Sequence, residues 1–197
     1  MVWPCSSSAL GLEEGKEEMN FVKITSHGAT LTVPEFLVPS WPYDLPPDQW
    51  PTFCGAGQGW GDAIVPDTIQ GVNIAPAGLC HDVEFSVSAK TVSAFMGANG
   101  RFFLNIVNLI LASNLETWKM IKALMKAGIL YLSAVSTMGV LFFNWFAGDK
   151  KEDLNPFANP TVMDRLQRLK EARDKYRDRP DERHYQGEYF PNVQDEA

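Results

Sequence analysis

The sequence has few cysteines and no surplus of basic residues, and both shortages exclude classes of protein. Three cysteines in 197 residues form one disulfide at most, so the disulfide frameworks of small secreted domains are excluded and packing must hold the fold together. A reducing compartment, or a virion assembled in one, suits this usage. The 24 acidic residues outnumber the 17 basic ones, which gives a formal charge of −7. We therefore expect no nucleic-acid partner, because binding by counterion release needs a basic surface.

The first twenty residues lack the features of a secretory signal. They show no charged start followed by a long apolar run, and four glutamates occur between positions 13 and 18. We therefore predict no signal peptide, and a location in the cytoplasm of the producing cell or in a virion.

Apolar residues are plentiful, and the charges are spread unevenly. Hydrophobic residues make up 45% of the chain and aromatic residues 12%, which is enough to bury a core and excludes global disorder. Of the 41 formal charges, 22 (12 acidic and 10 basic) fall from Asp149 onward. This shift predicts an N-terminal arm over 1–20, a domain over 21–148 and a charged C-terminal arm over 149–197.

Two segments precede the helical part of the domain. Apolar residues alternate on both sides of a Ser-His-Gly turn between positions 21 and 33, which predicts a short β-hairpin with His27 as a polar turn residue. Residues 34–51 contain six prolines, and we expect an extended, wrapping path there rather than regular structure. Trp41 and Trp50 in this segment either pin the loop to the core or form a lip at a membrane interface. We favour the first interpretation.

Three helical patterns follow. One helix is predicted from Pro76, and a second over about 93–112, where apolar residues recur at helical spacing. A third covers roughly 115–147, and its part from 127 to 147 has 21 residues without a charge. That length could span a bilayer, but the polar residues within it favour a helix buried in protein. We therefore expect peripheral rather than integral membrane association.

The C-terminal arm contains one short amphipathic helix. Thr161 followed by Asp164 predicts its N-terminal cap. The helix is either a docking element for a partner or a loosely packed appendage. Its predicted apolar face consists of Val162, Leu166, Leu169 and Tyr176.

Two short motifs carry the chemistry. The first is Phe-Cys-Gly-Ala-Gly at 53–57, and the second is Cys-His-Asp-Val-Glu-Phe at 80–85. Glycines let the backbone turn its carbonyl groups inward, and carbonyl and carboxylate oxygens are the ligands that Ca²⁺ prefers. On the second motif, His81 lies beside Asp82, where an imidazole could deprotonate a water next to a metal ion.

The same residues permit other interpretations. Asp82 could be a surface acid and His81 a partly buried structural histidine. Cys54, Cys80 and His81 could bind Zn²⁺, although no C-x-x-C spacing accompanies them, and Cys80 is better explained as a small buried hydrophobic residue. A serine hydrolase is disfavoured because the chain has no G-x-S-x-G motif.

Taken together, the motifs resemble the phospholipase A2 superfamily, which pairs a Y-C-G-x-G calcium loop with an H-D-x-x-Y helix and a second, antiparallel helix that carries an Asp. The chain has F-C-G-A-G at 53–57, H-D-V-E-F at 81–85 and A-N-G-R-F at 98–102. The segment at 65–77 is similar to one in small disulfide-poor, phage-encoded members of the superfamily. Its sequence is V-P-D-T-I-Q-G-V-N-I-A-P-A. The resemblance covers about 53–112. It implies a mainly α fold: an antiparallel helix pair with a glycine-rich calcium-type loop, a small N-terminal hairpin and a long third apolar helix.

The resemblance also implies a calcium site. The carbonyl oxygens of Phe53, Gly55 and Gly57 and the carboxylate of Asp82 would hold Ca²⁺. The ion and the Gly55 N–H would then stabilise the oxyanion formed during ester hydrolysis.

In the same scheme, His81 would be the general base and Asn99 would take the place of the Asp that orients its ring. The sequence departs from the family at two positions, because Phe85 replaces the Tyr and Asn99 the Asp. An asparagine carries no charge to stabilise an imidazolium, and in serine proteases the comparable change costs about 10⁴ in rate.

The leading hypothesis is a phage-encoded, calcium-dependent hydrolase that acts on phospholipid acyl esters at a membrane surface. The alternative is a structural or assembly protein of a virion or other complex, built on a phospholipase scaffold that has lost its activity and docked through its terminal arms. A third possibility is an integral membrane protein, such as a lysis factor, anchored by residues 127–147.

Overall fold

A computed structural model of the protein describes residues 19–53, 67–88, 91–132 and 156–177. These ranges are mainly α-helical, with an N-terminal β-hairpin and a long apolar helix, as the sequence predicts. The four helices are α1 (Ala75–Val87), α2 (Val92–Ala112), α3 (Thr117–Lys126) and α4 (Pro160–Arg177). The four strands are β1 (Phe21–Ser26), β2 (Ala29–Pro34), β3 (Thr68–Ile69) and β4 (Val72–Asn73).

Strands β1 and β2 form the predicted hairpin, antiparallel from Phe21 opposite Pro34 to Ser26 opposite Ala29. The two turn residues, His27 and Gly28, have φ of 52° and 75°, the left-handed conformation that a tight two-residue hairpin turn needs to match the right-handed twist of its strands. His27 is more than a polar turn residue, because its Nε2 accepts a hydrogen bond of 3.1 Å from the Trp50 indole. Burial lowers the pKa of His27, and the neutral ring suits this acceptor role.

The proline-rich segment pins itself to the core through its tryptophans, so the membrane-lip interpretation of Trp41 and Trp50 is wrong. Both side chains are buried, with ring centroids 5.4 Å apart. The Trp41 indole donates to Ser26 Oγ at 3.1 Å. The segment is also more regular than expected, since it contains short 3₁₀ helices at Glu35–Ser40 and Pro47–Gln49.

Helices α1 and α2 form the predicted antiparallel pair. Ring contacts join Phe85 to Phe95 and His81 to Phe102, so residue numbers fall along one helix as they rise along the other. Helix α2 begins at a side-chain cap, because Thr91 Oγ1 accepts from the Ala94 N–H at 3.1 Å. The apolar stripe predicted for α2 is buried at Phe95, Ala98, Phe102, Ile106 and Leu109.

The hairpin is fixed to α2 by side-chain amides rather than by apolar packing alone. Asn105 Oδ1 accepts from the Thr32 N–H at 2.8 Å, and Asn105 Nδ2 donates to the Thr32 carbonyl at 2.9 Å. Asn108 Nδ2 donates to the Thr30 carbonyl at 2.8 Å. The amides thus pair with the outer edge of β2, which would otherwise present unsatisfied backbone groups.

The predicted third helix begins at Thr117 and continues as a π-helical segment over Ala127–Leu132. The rest of the predicted 115–147 helix, and with it most of the candidate span at 127–147, lies outside the described residues. Among the described residues, α2 is the one helix long and apolar enough to cross a membrane, and 44% of its most apolar window is buried in the protein.

Helix α4, the predicted helix of the C-terminal arm, packs on α1. Its cap is Asn159 and not Thr161, because Asn159 Oδ1 accepts from the Thr161 N–H at 2.9 Å. Asn159 Nδ2 also donates to the Ser86 carbonyl of α1 at 3.0 Å. The predicted apolar face is confirmed, with Val162, Leu169 and Tyr176 buried and Leu166 partly buried.

Candidate functional site

A histidine and an asparagine meet between α1 and α2. His81 Nε2 lies 3.1 Å from Asn99 Oδ1, so with the amide in this orientation Nε2 carries the proton and Nδ1 has the free lone pair. Asn99 is buried, and its Nδ2 has no hydrogen-bond partner in the described part of the chain. With this amide orientation, the contact between α1 and α2 favours the tautomer of His81 that carries its proton on Nε2.

Two phenylalanine rings determine the position of the imidazole. The centroids of Phe85 and Phe102 lie 4.4 and 4.6 Å from that of His81, at interplanar angles of 36° and 34°. Phe85, which the resemblance aligns with a tyrosine, packs its ring on the histidine. His81 is therefore in contact with two aromatic rings as well as with the Asn99 amide.

The carboxylate next to the histidine faces an arginine of the C-terminal arm. Asp82 Oδ1 lies 3.8 Å from His81 Nδ1, and Asp82 Oδ2 lies 2.8 Å from Arg165 Nη2 on α4. The ion pair is close, but Asp82 Oδ2 and Arg165 Nε are both buried without a hydrogen bond of good geometry among the described residues. The arginine thus places a positive charge directly against Asp82.

The start of the predicted calcium loop reaches the same place. Phe53 is buried, and the guanidinium groups of Arg165 and Arg168 lie 5.7 and 5.3 Å from its ring centroid. Arg165 therefore contacts Asp82 on one side and Phe53 on the other. The other predicted loop ligands, Gly55 and Gly57, lie outside the described residues.

Asp67, which the sequence analysis did not single out, makes hydrogen bonds with the residue before the segment 54–66 and with the residue before α1. Its Oδ1 accepts from the Phe53 N–H at 2.9 Å, and its carbonyl accepts from the Ile74 N–H at 2.7 Å just before α1. The Pro66-Asp67 pair is typical of turns and was the sequence signal that could have indicated the role of Asp67. Asp67 thus fixes the end of the loop relative to the helix that carries His81.

Of the four implied Ca²⁺ ligands, Phe53 and Asp82 lie within the described residues. No group of three His, Cys, Asp or Glu side chains in the described ranges could hold a metal ion, but the implied Ca²⁺ site uses carbonyl oxygens and one carboxylate. That carboxylate, Asp82, has a buried oxygen that accepts no hydrogen bond, and the fold already places a positive charge against it. A cation bound here would have to displace the Arg165 guanidinium.

A second ion pair, which was not predicted, joins α1 to α2. Arg101 Nε donates to the two carboxylate oxygens of Glu84 at 3.0 and 3.1 Å, and Nη2 also contacts Oε1. Gly97 leaves room for this arginine, since a Cβ there would lie 2.9 Å from Arg101 Nη2. The Arg101 guanidinium also lies 4.0 Å from the ring centroid of Phe21. The pair thus connects α1, α2 and the hairpin.

Cys80 is buried, as the sequence indicates. Burial, and then the charge of Glu84, raise the pKa of its thiol well above the usual range. A metal ligand must be the thiolate, so this environment disfavours the zinc interpretation of Cys80. Its other predicted cysteine ligand, Cys54, lies outside the described residues.

Comparisons with protein-family models, with curated proteins and with solved structures find no match to this chain.

Proposed function

We propose that the protein is a calcium-dependent hydrolase of phospholipid acyl esters that acts at a membrane surface. The observation that supports this best is the contact of His81 with Asn99 across antiparallel helices, with the Asp82 carboxylate next to the free Nδ1. An imidazole with one nitrogen fixed and the other free is what a general base requires.

In the proposed reaction, His81 Nδ1 accepts a proton from a water molecule as the water oxygen attacks the ester carbonyl carbon. Asn99 Oδ1 holds the Nε2 proton, which keeps the lone pair on Nδ1. The imidazolium then returns the proton to the departing alkoxide, and the products are a fatty acid and a lysophospholipid. Asn99 stabilises the imidazolium as a dipole only, so the rate should be lower than with an aspartate.

Asp82 and the carbonyl groups of Phe53, Gly55 and Gly57 would hold Ca²⁺. When bound, the ion would supply positive charge for the oxyanion of the tetrahedral intermediate, together with the Gly55 N–H. Arg165 neutralises Asp82 when the ion is absent. Phe85 and Phe102 exclude water from the ring face of His81.

The test is fatty-acid release from vesicles containing anionic phospholipid, measured with Ca²⁺ and with chelator. We expect release that requires Ca²⁺ and falls about 10²- to 10⁴-fold in His81→Gln, the range for a lost general base. His27→Asn is the matched control, because it removes a histidine from the hairpin turn and leaves the α1–α2 site unchanged. No release from folded protein at ample Ca²⁺ would contradict the proposal.

The second candidate is a structural or assembly protein of a virion or other complex, on a scaffold that has lost its activity. Two observations favour it: Asp82 is already paired with Arg165, and Phe85 offers no hydroxyl group to that carboxylate. The double variant Asn99→Asp, Phe85→Tyr separates the two candidates. Release by the natural chain supports the hydrolase, whereas release by the double variant alone supports the structural protein.

A further inference from the structure

Helix α3 and the turn after it expose a row of large apolar side chains. Trp118, Ile121, Met125 and Ile129 are 65%, 42%, 61% and 64% exposed. They recur at intervals of three, four and four residues, so they form one stripe along the helix. The opposite side of the helix packs on the protein, where Ala123 and Ala127 are fully buried. We call the four exposed residues the Trp118 row.

Positive charge lies along one flank of this row. Lys119, Lys122 and Lys126 follow Trp118 on the helix, and the described part of the helix carries no acidic residue. Glu116, just before it, lies 3.5 Å from Lys119. The Lys122 ammonium group lies 5.0 Å from the ring centroid of Trp118. The apolar row is therefore flanked by positive charge on a protein whose formal charge is −7.

The Trp118 row and the lysines beside it indicate whether a protein, a second copy of the chain or a lipid bilayer binds this surface. An apolar row alone would suit another protein, but lysines beside an exposed tryptophan complement the anionic headgroups and acyl boundary of a bilayer. Indole is favoured at that boundary, and lysine stems can extend from it toward the phosphates. A second copy of the chain is disfavoured, because a twofold contact would bring the same lysines of both copies together.

We propose that the Trp118 row, with Lys119, Lys122 and Lys126 beside it, is the surface by which the protein binds anionic lipid bilayers. Helix α3 would lie in the plane of the interface with the row inserted at the acyl boundary. This inference rests on the proposed function in that it names the surface that meets the lipid, but binding requires neither Ca²⁺ nor His81.

The experiment measures how much of the full chain sediments with lipid vesicles in the presence of chelator. One kind of vesicle contains phosphatidylcholine alone, and the other contains equal amounts of phosphatidylcholine and phosphatidylglycerol. We expect binding to the mixed vesicles, and a loss of about tenfold or more in Trp118→Ser, since burial of one large side chain contributes that much. Met125→Ser should also weaken binding. Its matched control is Met96→Ser on α2, a methionine with the same 61% exposure, which should bind like the natural chain.

The lysines are tested separately. Changing Lys119, Lys122 and Lys126 together to Gln should lower affinity for the mixed vesicles by roughly fivefold for each charge and remove the preference over phosphatidylcholine. The control, Lys170→Gln with Lys175→Gln on α4, should have little effect. Quenching of Trp118 by brominated lipid, scored against Trp118→Phe, locates the indole at the interface. All these side chains are exposed or partly exposed, and circular dichroism of each variant verifies the fold.

The results separate this inference from the proposed function. Vesicle binding that depends on the row without fatty-acid release supports the surface and contradicts the hydrolase. Release that is insensitive to changes in the row and the lysines contradicts the surface and supports the hydrolase. Unchanged binding in both Trp118→Ser and the triple lysine variant overturns the inference. So does a dimer that dissociates in Met125→Ser while vesicle binding is unaltered.

Discussion

Two arginine–carboxylate pairs lie two residues apart on α1 and differ in the burial of the carboxylate. Glu84 is 2% exposed and accepts two hydrogen bonds from Arg101 Nε. The Asp82 side chain is 21% exposed, and its Oδ2 lies 2.8 Å from Arg165 Nη2. Arg101 comes from the partner helix of the pair, whereas Arg165 comes from the C-terminal arm.

The difference separates a structural contact from an exchangeable one. Burying a carboxylate is costly unless its charge and its lone pairs are both satisfied. Arg101 does both for Glu84, so the α1–α2 pair depends on it. Arg165 contacts an Asp82 side chain that is 21% exposed, so a different cation could replace it more readily than Arg101. A third pair, Arg173 with Asp44, has side chains 35% and 50% exposed and represents an ordinary surface contact.

Breaking the buried pair should have the largest effect on stability. Arg101→Met leaves Glu84 charged and unpaired in the core, and we expect the free energy of unfolding to fall by about 3–5 kcal/mol. Urea denaturation measures this loss. Arg173→Met is the control and should lose less than about 1 kcal/mol. Equal losses in the two variants would show that the buried pair is not a special contact.

Replacing both partners of the buried pair should recover most of that loss. The double variant Glu84→Met, Arg101→Met removes both charges and fills similar volume, and such exchanges are often neutral or stabilising. We expect unfolding free energy within about 2 kcal/mol of the natural chain by the same measurement. A double variant as unstable as Arg101→Met would indicate that packing of the guanidinium on Phe21, rather than charge, is the dominant contribution.

Breaking the Asp82 pair should instead change the response to Ca²⁺. Arg165→Met frees a partly buried carboxylate, and we expect a loss of about 1–2 kcal/mol in chelator with roughly tenfold tighter Ca²⁺ binding, or about 1.4 kcal/mol. Calorimetric titration measures the affinity. Asp82→Asn is the control and should show no Ca²⁺ binding at this site. Affinity unaffected by Arg165→Met would contradict competition between the guanidinium and the ion.

The uncharged hydrogen bond between Trp50 and His27 should have the smallest effect on stability, and that effect should depend on pH. Burial lowers the pKa of His27, so the folded state favours the neutral ring that accepts from Trp50. The contribution is present above the unfolded pKa of about 6.5 and is lost as pH falls below that value. We expect the stability difference between the natural chain and His27→Asn to shrink by about 1 kcal/mol between pH 7.5 and 5. A difference that grows on acidification would contradict this assignment.

The features that sequence reasoning predicted well are those encoded by local pattern. Periodicity located α1, α2 and the apolar face of α4, and alternation around a Ser-His-Gly turn located the hairpin. The pairing of His81 with Asn99 was expected from the resemblance, because the order of the two helical motifs implies antiparallel packing.

The features that were missed depend on how distant segments pack. Arg165 lies 83 positions after Asp82, on a helix interpreted as a docking element for a partner or a loosely packed appendage, and no local pattern indicates that this helix packs on α1. The favoured interpretation of Trp41 and Trp50, that they pin the proline-rich loop to the core, is confirmed. The exposure of Trp118 was not predicted, because it is decided by tertiary packing rather than by local pattern.

The amide pairing of Asn105 with Thr32 makes one backbone proton a probe of the whole domain. Within a lone hairpin, the outward N–H of β2 would exchange with solvent deuterium freely. Here its acceptor is a side chain 73 residues away, so the proton is released only when α2 separates from the hairpin. Its exchange rate should follow the opening of the hairpin–α2 interface. A single crosspeak would thus report whether a variant has loosened the scaffold or altered only its chemistry.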